Sequence, residues 1–229
     1  MLNSRSSQHP GGVGNSSGLL GKFLLDHMAL NLVGTVPVDD NGTTNPVGGA
    51  HGIYIPKFRN LDEKRKDFVR GYGLLGFVQR PSHHFLLSSL LEVLPDQQNR
   101  IEIDENRADS WGIKTPCIKF SYSANEYKML EDAETTMQEM LNVAGLTVTQ
   151  REISAPGCYV HELGGARMGT TPANSVLNPF NQCWDARNLF VVDGSCFVTS
   201  GWQNPSLTMM ALTVRACSHL VEELKRGNL

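Results

Sequence analysis

The stretch HELGGARMG, from His161 to Gly169, sets an imidazole beside three glycines and an arginine, just after a break at Pro156-Gly157. Imidazole titrates nearest neutrality of the side chains, so it can take or give a proton at working pH. Glycines at 164, 165 and 169 let backbone come close to another group. The pattern suggests a base at the edge of a close approach, and a tight turn with a solvated histidine is the alternative. Downstream, NLFVVDGS at 188–195 ends an apolar run in Asp193-Gly194. NPSLTMMALTVRACSHLVEELKR at 204–226 then reads as a helix, with Asn204 as N-cap and Pro205 at its first position. A carboxylate and a glycine next to a helix start suit a phosphate- or ribose-bearing cofactor. The carboxylate accepts a hydroxyl, the glycine lets its amide approach, and the helix end favours negative charge.

Other patterns offer less. HELGG opens like the H-E-x-x-H of a zinc helix, but Gly165 occupies the second ligand position. GNSSG at 14–18 fits G-x-S-x-G with Ser16 as nucleophile, and Asp193 and His219 follow in hydrolase order. Yet SRSSQHPGG before it is no buried strand, and His219 falls inside the expected helix. GVGNSSG at 12–18 has Ser17 where a dinucleotide loop needs its third glycine. Five cysteines without a C-x-x-C pair predict buried free thiols, not a disulfide framework or a zinc site. His83 and His84 read as a surface pair, because adjacent side chains diverge in a strand.

The elements that must hold these residues fit within 229 residues as one large domain or two small ones. A net charge of −3 leaves no electrostatic footprint for nucleic acid. No apolar run is long enough to span a membrane, since Lys22, Asp26 and Arg215 interrupt the best candidates. The first dozen residues lack the basic start and apolar stretch of a signal peptide. Residues 18–33 group their apolar positions as a helix would, and 34–50 is a loop rich in Gly, Pro, Asn and Thr. Strands are expected at 51–56, 72–79, 100–104 and 117–123. A capping box at Ser123 and Glu126 should open a helix whose Met129, Leu130, Ala133, Met137, Met140, Leu141 and Ala144 face a sheet. The run at 188–195 reads as a strand buried on both faces of a parallel sheet.

The order of the words is more specific than any one of them. From His161, through Gly165-Ala166-Arg167-Met168-Gly169, NLFVVDGS and Asn204-Pro205 to Ala211, the chain resembles the C-terminal signature of the glucose–methanol–choline (GMC) flavoprotein oxidoreductases. NSSGLLGKFLLDH at 15–27 resembles an earlier segment of its sugar-oxidising branch, near the pyranose oxidases. The likeness is dense over 158–222, thinner over 100–145 and suggestive over 11–27.

This resemblance implies FAD as cofactor and an alcohol group of a sugar or polyol as substrate, and it leaves the electron acceptor open. It implies that His161 takes the alcohol proton as hydride leaves for flavin N5, with Asn204 gripping the substrate oxygen. Asp193 and Gly194 would contact the FAD ribityl and pyrophosphate, and Pro205 would approach the ring. The expected fold is α/β. A mostly antiparallel substrate-domain sheet covered by helices would occupy 51–160, between the end of an FAD-domain segment and loop (1–50) and a catalytic, FAD-contacting segment (161–229). The family's opening G-x-G-x-x-G strand–turn–helix is not visible. The chain therefore reads as the C-terminal part of such an enzyme, whose missing partner is an N-terminal FAD-binding half. A catalytically silent module on the same fold is the other reading.

Overall fold

A computed structural model describes residues 1–35, 52–79 and 84–229. Most of the expected 34–50 loop, His51 and His83 lie outside the described residues. In chain order the elements are β1 (His27–Thr35), β2 (Gly52–Ile55), β3 (Tyr72–Gln79), β4 (His84–Glu92), β5 (Arg100–Ala108), β6 (Lys114–Lys119), α1 (Ala124–Val143), β7 (Thr147–Ile153) and α2 (Ser206–Lys225). They divide into two compact units. A sheet unit comprises His27–Val93 and Tyr122–Tyr159, and a site unit comprises Met1–Asp26, Leu94–Ser121 and Val160–Leu229.

The sheet unit is a five-stranded antiparallel sheet in the order β2-β3-β4-β1-β7. Helix α1 packs on β1, β4 and β7. The capping box forms as expected: Ser123 Oγ accepts the Asn125 N–H at 3.1 Å, and Glu126 Oε2 accepts the Ser123 N–H at 2.7 Å. Met129, Leu130, Ala133, Met137 and Leu141 are buried, as their spacing predicts. Polar side chains close the unit around this core. Asp132 of α1 accepts from Arg59 Nε at 2.7 Å and the Tyr72 hydroxyl at 2.6 Å, while Arg65 lies 3.1 Å from its other oxygen. Burial, followed by the Asp132 carboxylate, pushes the Tyr72 hydroxyl up to about 12.

Residues 18–33 do not form the expected helix. Residues 19–24 run irregularly, and 27–35 is the strand β1, paired with β4 on one side and β7 on the other. Central pairing buries both faces of β1, so its apolar residues come in runs instead of alternating, and a run alone fits helix or strand. β4 and β7 were not anticipated, for the same reason in the case of β4: HFLLSSLLE ends in six consecutive buried positions.

In the site unit, β5 and β6 pair as an antiparallel hairpin. Backbone bonds from Ile101 N to Gly21 O (2.8 Å) and from Leu24 N to Asn99 O (2.8 Å) tie the segments around it to residues 21–24. Residues 94–121 belong to this unit. The run at 188–195 is not a strand buried in a parallel sheet. Its one bridge is antiparallel, Gln182 with Phe190, its residues 190–192 are half-buried, and Gly194–Cys196 is a single 3-10 turn. Of the cysteines, only Cys183 and Cys196 are buried; Cys117, Cys158 and Cys217 are exposed, and all five are free.

Candidate active site

Three backbone segments converge in the site unit, and glycine makes the convergence possible. Leu25 and Leu163 exchange two backbone bonds, at 2.7 and 2.9 Å. Gly164, Ala166 and Met168 donate in turn to the carbonyls of Gly194, Ser195 and Cys196, at 3.0, 2.9 and 3.0 Å. Gly164 has φ +79, and a Cβ there would stand 2.1 Å from the Phe23 carbonyl oxygen, so any side chain would push the segments apart. The group that Gly164 approaches is thus first the backbone of another segment.

Its neighbour Gly165 is different. It also takes a positive φ, +91, but a Cβ there would meet only Gly21 Cα at 3.9 Å. Gly165 lines a cavity of about 470 Å³ together with Gly21, Leu20, Val191, Asp193 and Ser195. Its walls are mainly apolar, with Asp193 supplying a carboxylate. Asp193 Oδ1 accepts the Ser195 N–H at 2.8 Å and the Ser195 hydroxyl, capping the 3-10 turn. Gly194 is buried; a Cβ on it would meet Leu163 Cδ2 at 2.7 Å, Glu162 O at 3.2 Å and Met209 Sδ at 3.5 Å. The segment after His161, the Asp193 turn and the first turns of α2 therefore meet at Gly194.

His161 is half-buried, and its backbone N–H donates to Asp26 Oδ1 at 3.4 Å. Burial pushes its imidazole below the ordinary histidine value, while the negative charges of Asp26 and Glu162 pull it up; burial prevails. The ring is therefore held towards its neutral, proton-accepting form. Arg167 stacks its guanidinium 4.4 Å over the Phe23 ring, a structural role in the same crossing.

Asn204 is not the N-cap of α2. Pro205 already has helical angles (φ −85, ψ −10), holds the cap position and makes no side-chain capping bond. Asn204 is exposed and Pro205 is buried. The amide that sequence divided between capping and substrate is not used for capping. Ser16 is occupied otherwise: its N–H donates to Asp185 Oδ2 at 2.9 Å and its hydroxyl to Asp185 Oδ1 at 2.5 Å. A hydroxyl donating to a carboxylate has no histidine base, and His219 instead stacks on Phe180 at 4.3 Å. The hydrolase reading falls. Asp26, fully buried next to His161, was missed; the signal was a carboxylate inside the apolar run FLLDHMAL.

The GMC oxidoreductase sequence pattern matches residues 95–213, just over half of the chain. The chain belongs to that family. A 2-methyl-1,2-propanediol dehydrogenase of Mycolicibacterium austroafricanum is 28% identical over 96% of this GMC chain and 45% of its own length. The large subunit of a fructose dehydrogenase from Gluconobacter japonicus is 26% identical over 99% of the chain and 45% of its own length. The chain thus spans less than half the length of these relatives. A formate oxidase variant from Aspergillus oryzae RIB40, in which FAD modification was followed, shares the fold. Its TM-score is 0.62 at 12% identity, over 91% of this chain and 48% of that one. The mixed α/β architecture with its antiparallel sheet is the GMC one.

Proposed function

We propose that this chain carries the proton-accepting and substrate-gripping residues of an FAD-dependent alcohol oxidation, acting on a sugar or polyol. The observation that carries the reading is His161: a half-buried imidazole kept towards neutrality, at the head of the glycine crossing that lines an apolar cavity. An alcohol O–H is a weak acid, and a neutral imidazole beside it takes its proton as the carbinol carbon loses hydride. The imidazolium that forms gains from the Asp26 carboxylate next to it. Asn204, with its amide outside any cap, donates to the alcohol oxygen without competing for the proton.

The residues around the cavity fit FAD. Gly165 leaves open the space a Cβ would fill, the walls are apolar, and Asp193 offers a carboxylate to a ribityl or ribose hydroxyl. The family resemblance adds Gly194 and Pro205 as further contacts, although neither is among the residues that line the cavity. When bound, FAD supplies the acceptor for the carbinol hydride. The adenosine end needs a dinucleotide-binding half such as the longer relatives have room for, and the functional partner of this chain is that half. In such a complete enzyme, His161→Ala should slow flavin reduction about 10²–10⁴-fold with FAD affinity nearly unchanged, as expected for a lost general base. Stopped-flow reduction with an alcohol substrate measures both. Reduction at the wild-type rate would place the base elsewhere.

A further inference from the structure

Three carboxylates are buried among the described residues: Asp26, Glu92 and Glu126. Glu92 pairs with Lys57 at 2.9 Å and accepts the Gly71 N–H at 3.0 Å, and Glu126 closes the capping box of α1. Asp26 is fully buried, so its carboxylate acts on its neighbours at low dielectric. What surrounds it is the catalytic segment. The two bonds between Leu25 and Leu163 fix 24–26 antiparallel to 162–164, which sets Asp26 beside the chain just after His161. From there its Oδ1 accepts the His161 backbone N–H.

We propose that Asp26 is the positioning residue of the site: its buried carboxylate, locked in place by the Leu25–Leu163 bridge, anchors the His161 backbone and supplies the fixed negative charge that the His161 imidazolium needs. This role rests on His161 being the base, as proposed above. Among the described residues, the carboxylates that act on the imidazole are Asp26 and Glu162. Glu162 is exposed and screened by water, so Asp26 is the one whose charge acts at low dielectric. An anion held there favours the protonated imidazole, opposing the desolvation that disfavours it. Backbone anchorage fixes where the ring begins, and small displacements of a reacting group cost large factors in rate.

The first test needs no flavin. In this chain, the His161 imidazole is titrated by NMR and assigned by the signal lost in His161→Gln. Asp26→Asn, which keeps the shape and removes the charge, should move that titration to lower pH, whereas Glu162→Gln should move it less. An unchanged His161 titration in Asp26→Asn overturns the proposal. In wild type, the Asp26 side-chain carbon should show a second inflection at the pH where His161 titrates, a reading that holds even if the variant folds poorly. Its absence overturns the proposal as well. In the complete flavin-loaded enzyme, Asp26→Asn should slow flavin reduction about tenfold and shift the rate–pH limb downward, with the substrate KM little changed. If His161→Ala reduces flavin normally, the catalytic reading fails while the titrations still decide whether Asp26 governs His161. If His161→Ala is slow but Asp26→Asn is indistinguishable from wild type in rate and limb, Asp26 has no positioning role.

Discussion

The two helices have the same length, twenty residues, and opposite relations to their surroundings. α1 opens with a reciprocal capping box, buries five apolar side chains and lies on three strands of its own unit. α2 opens at an uncapped Pro205 and buries only Ala216. Its Leu207, Met210, Val214, Val221 and Leu224 are exposed, yet they recur at the three- and four-residue spacing of one helix face, with Cys217 between them. An apolar stripe that regular is the kind of surface that partners cover, whereas scattered exposed apolar residues would carry no such meaning. α1 is thus explained by contacts in its unit, whereas the apolar stripe of α2 is not covered by the described residues. In the functional reading above, its cover is the FAD-binding half.

The comparison can be broken by substitution. The largest effect should come from Met137→Ala. Met137 is fully buried in α1, and its truncation should cost about 2–5 kcal/mol of stability, seen as a lower denaturation midpoint. Near the other extreme, Val214→Lys on α2 should leave the denaturation midpoint of this chain nearly unchanged, because Val214 is 68% exposed. The same change should reduce concentration-dependent association measured by light scattering. A loss in Val214→Lys comparable to that in Met137→Ala would mean that the stripe is already covered in this chain.

The contrast also marks where sequence was legible. α1 could be read because its signals agree: Ser123 and Glu126 at the right offset, then apolar residues at helical period. β1 could not, because a central strand buried on both faces loses the alternation that identifies strands, and FLLDHMALNLV offers helix and strand the same apolar count. The terminal helix was visible from its period, but its start was misplaced by one residue. Asn204 is a good cap by type, and a proline already in helical conformation took the position. At the site, His161 stood out because imidazole beside glycines is chemically unusual. The two adjacent glycines both border the cavity, but only Gly164 also admits the Phe23 carbonyl, a distinction that depends on which distant backbone arrives. Asp26 was hidden because its importance lies in burial and in the Leu25–Leu163 pairing, neither of which has a local sequence signature.

The most direct test of the site is the pH dependence of flavin reduction in a complete enzyme containing this chain. Burial lowers the His161 pKa from its ordinary value of about 6.5, so the neutral base form persists to more acidic pH. The sign follows: the rate constant should rise with pH through a midpoint below that ordinary value and then stay flat across neutrality. In His161→Gln the whole curve should fall by about two orders of magnitude or more and lose this limb. A limb that persists at the same pH in His161→Gln, with the rate retained, would contradict the assignment of His161 as the base.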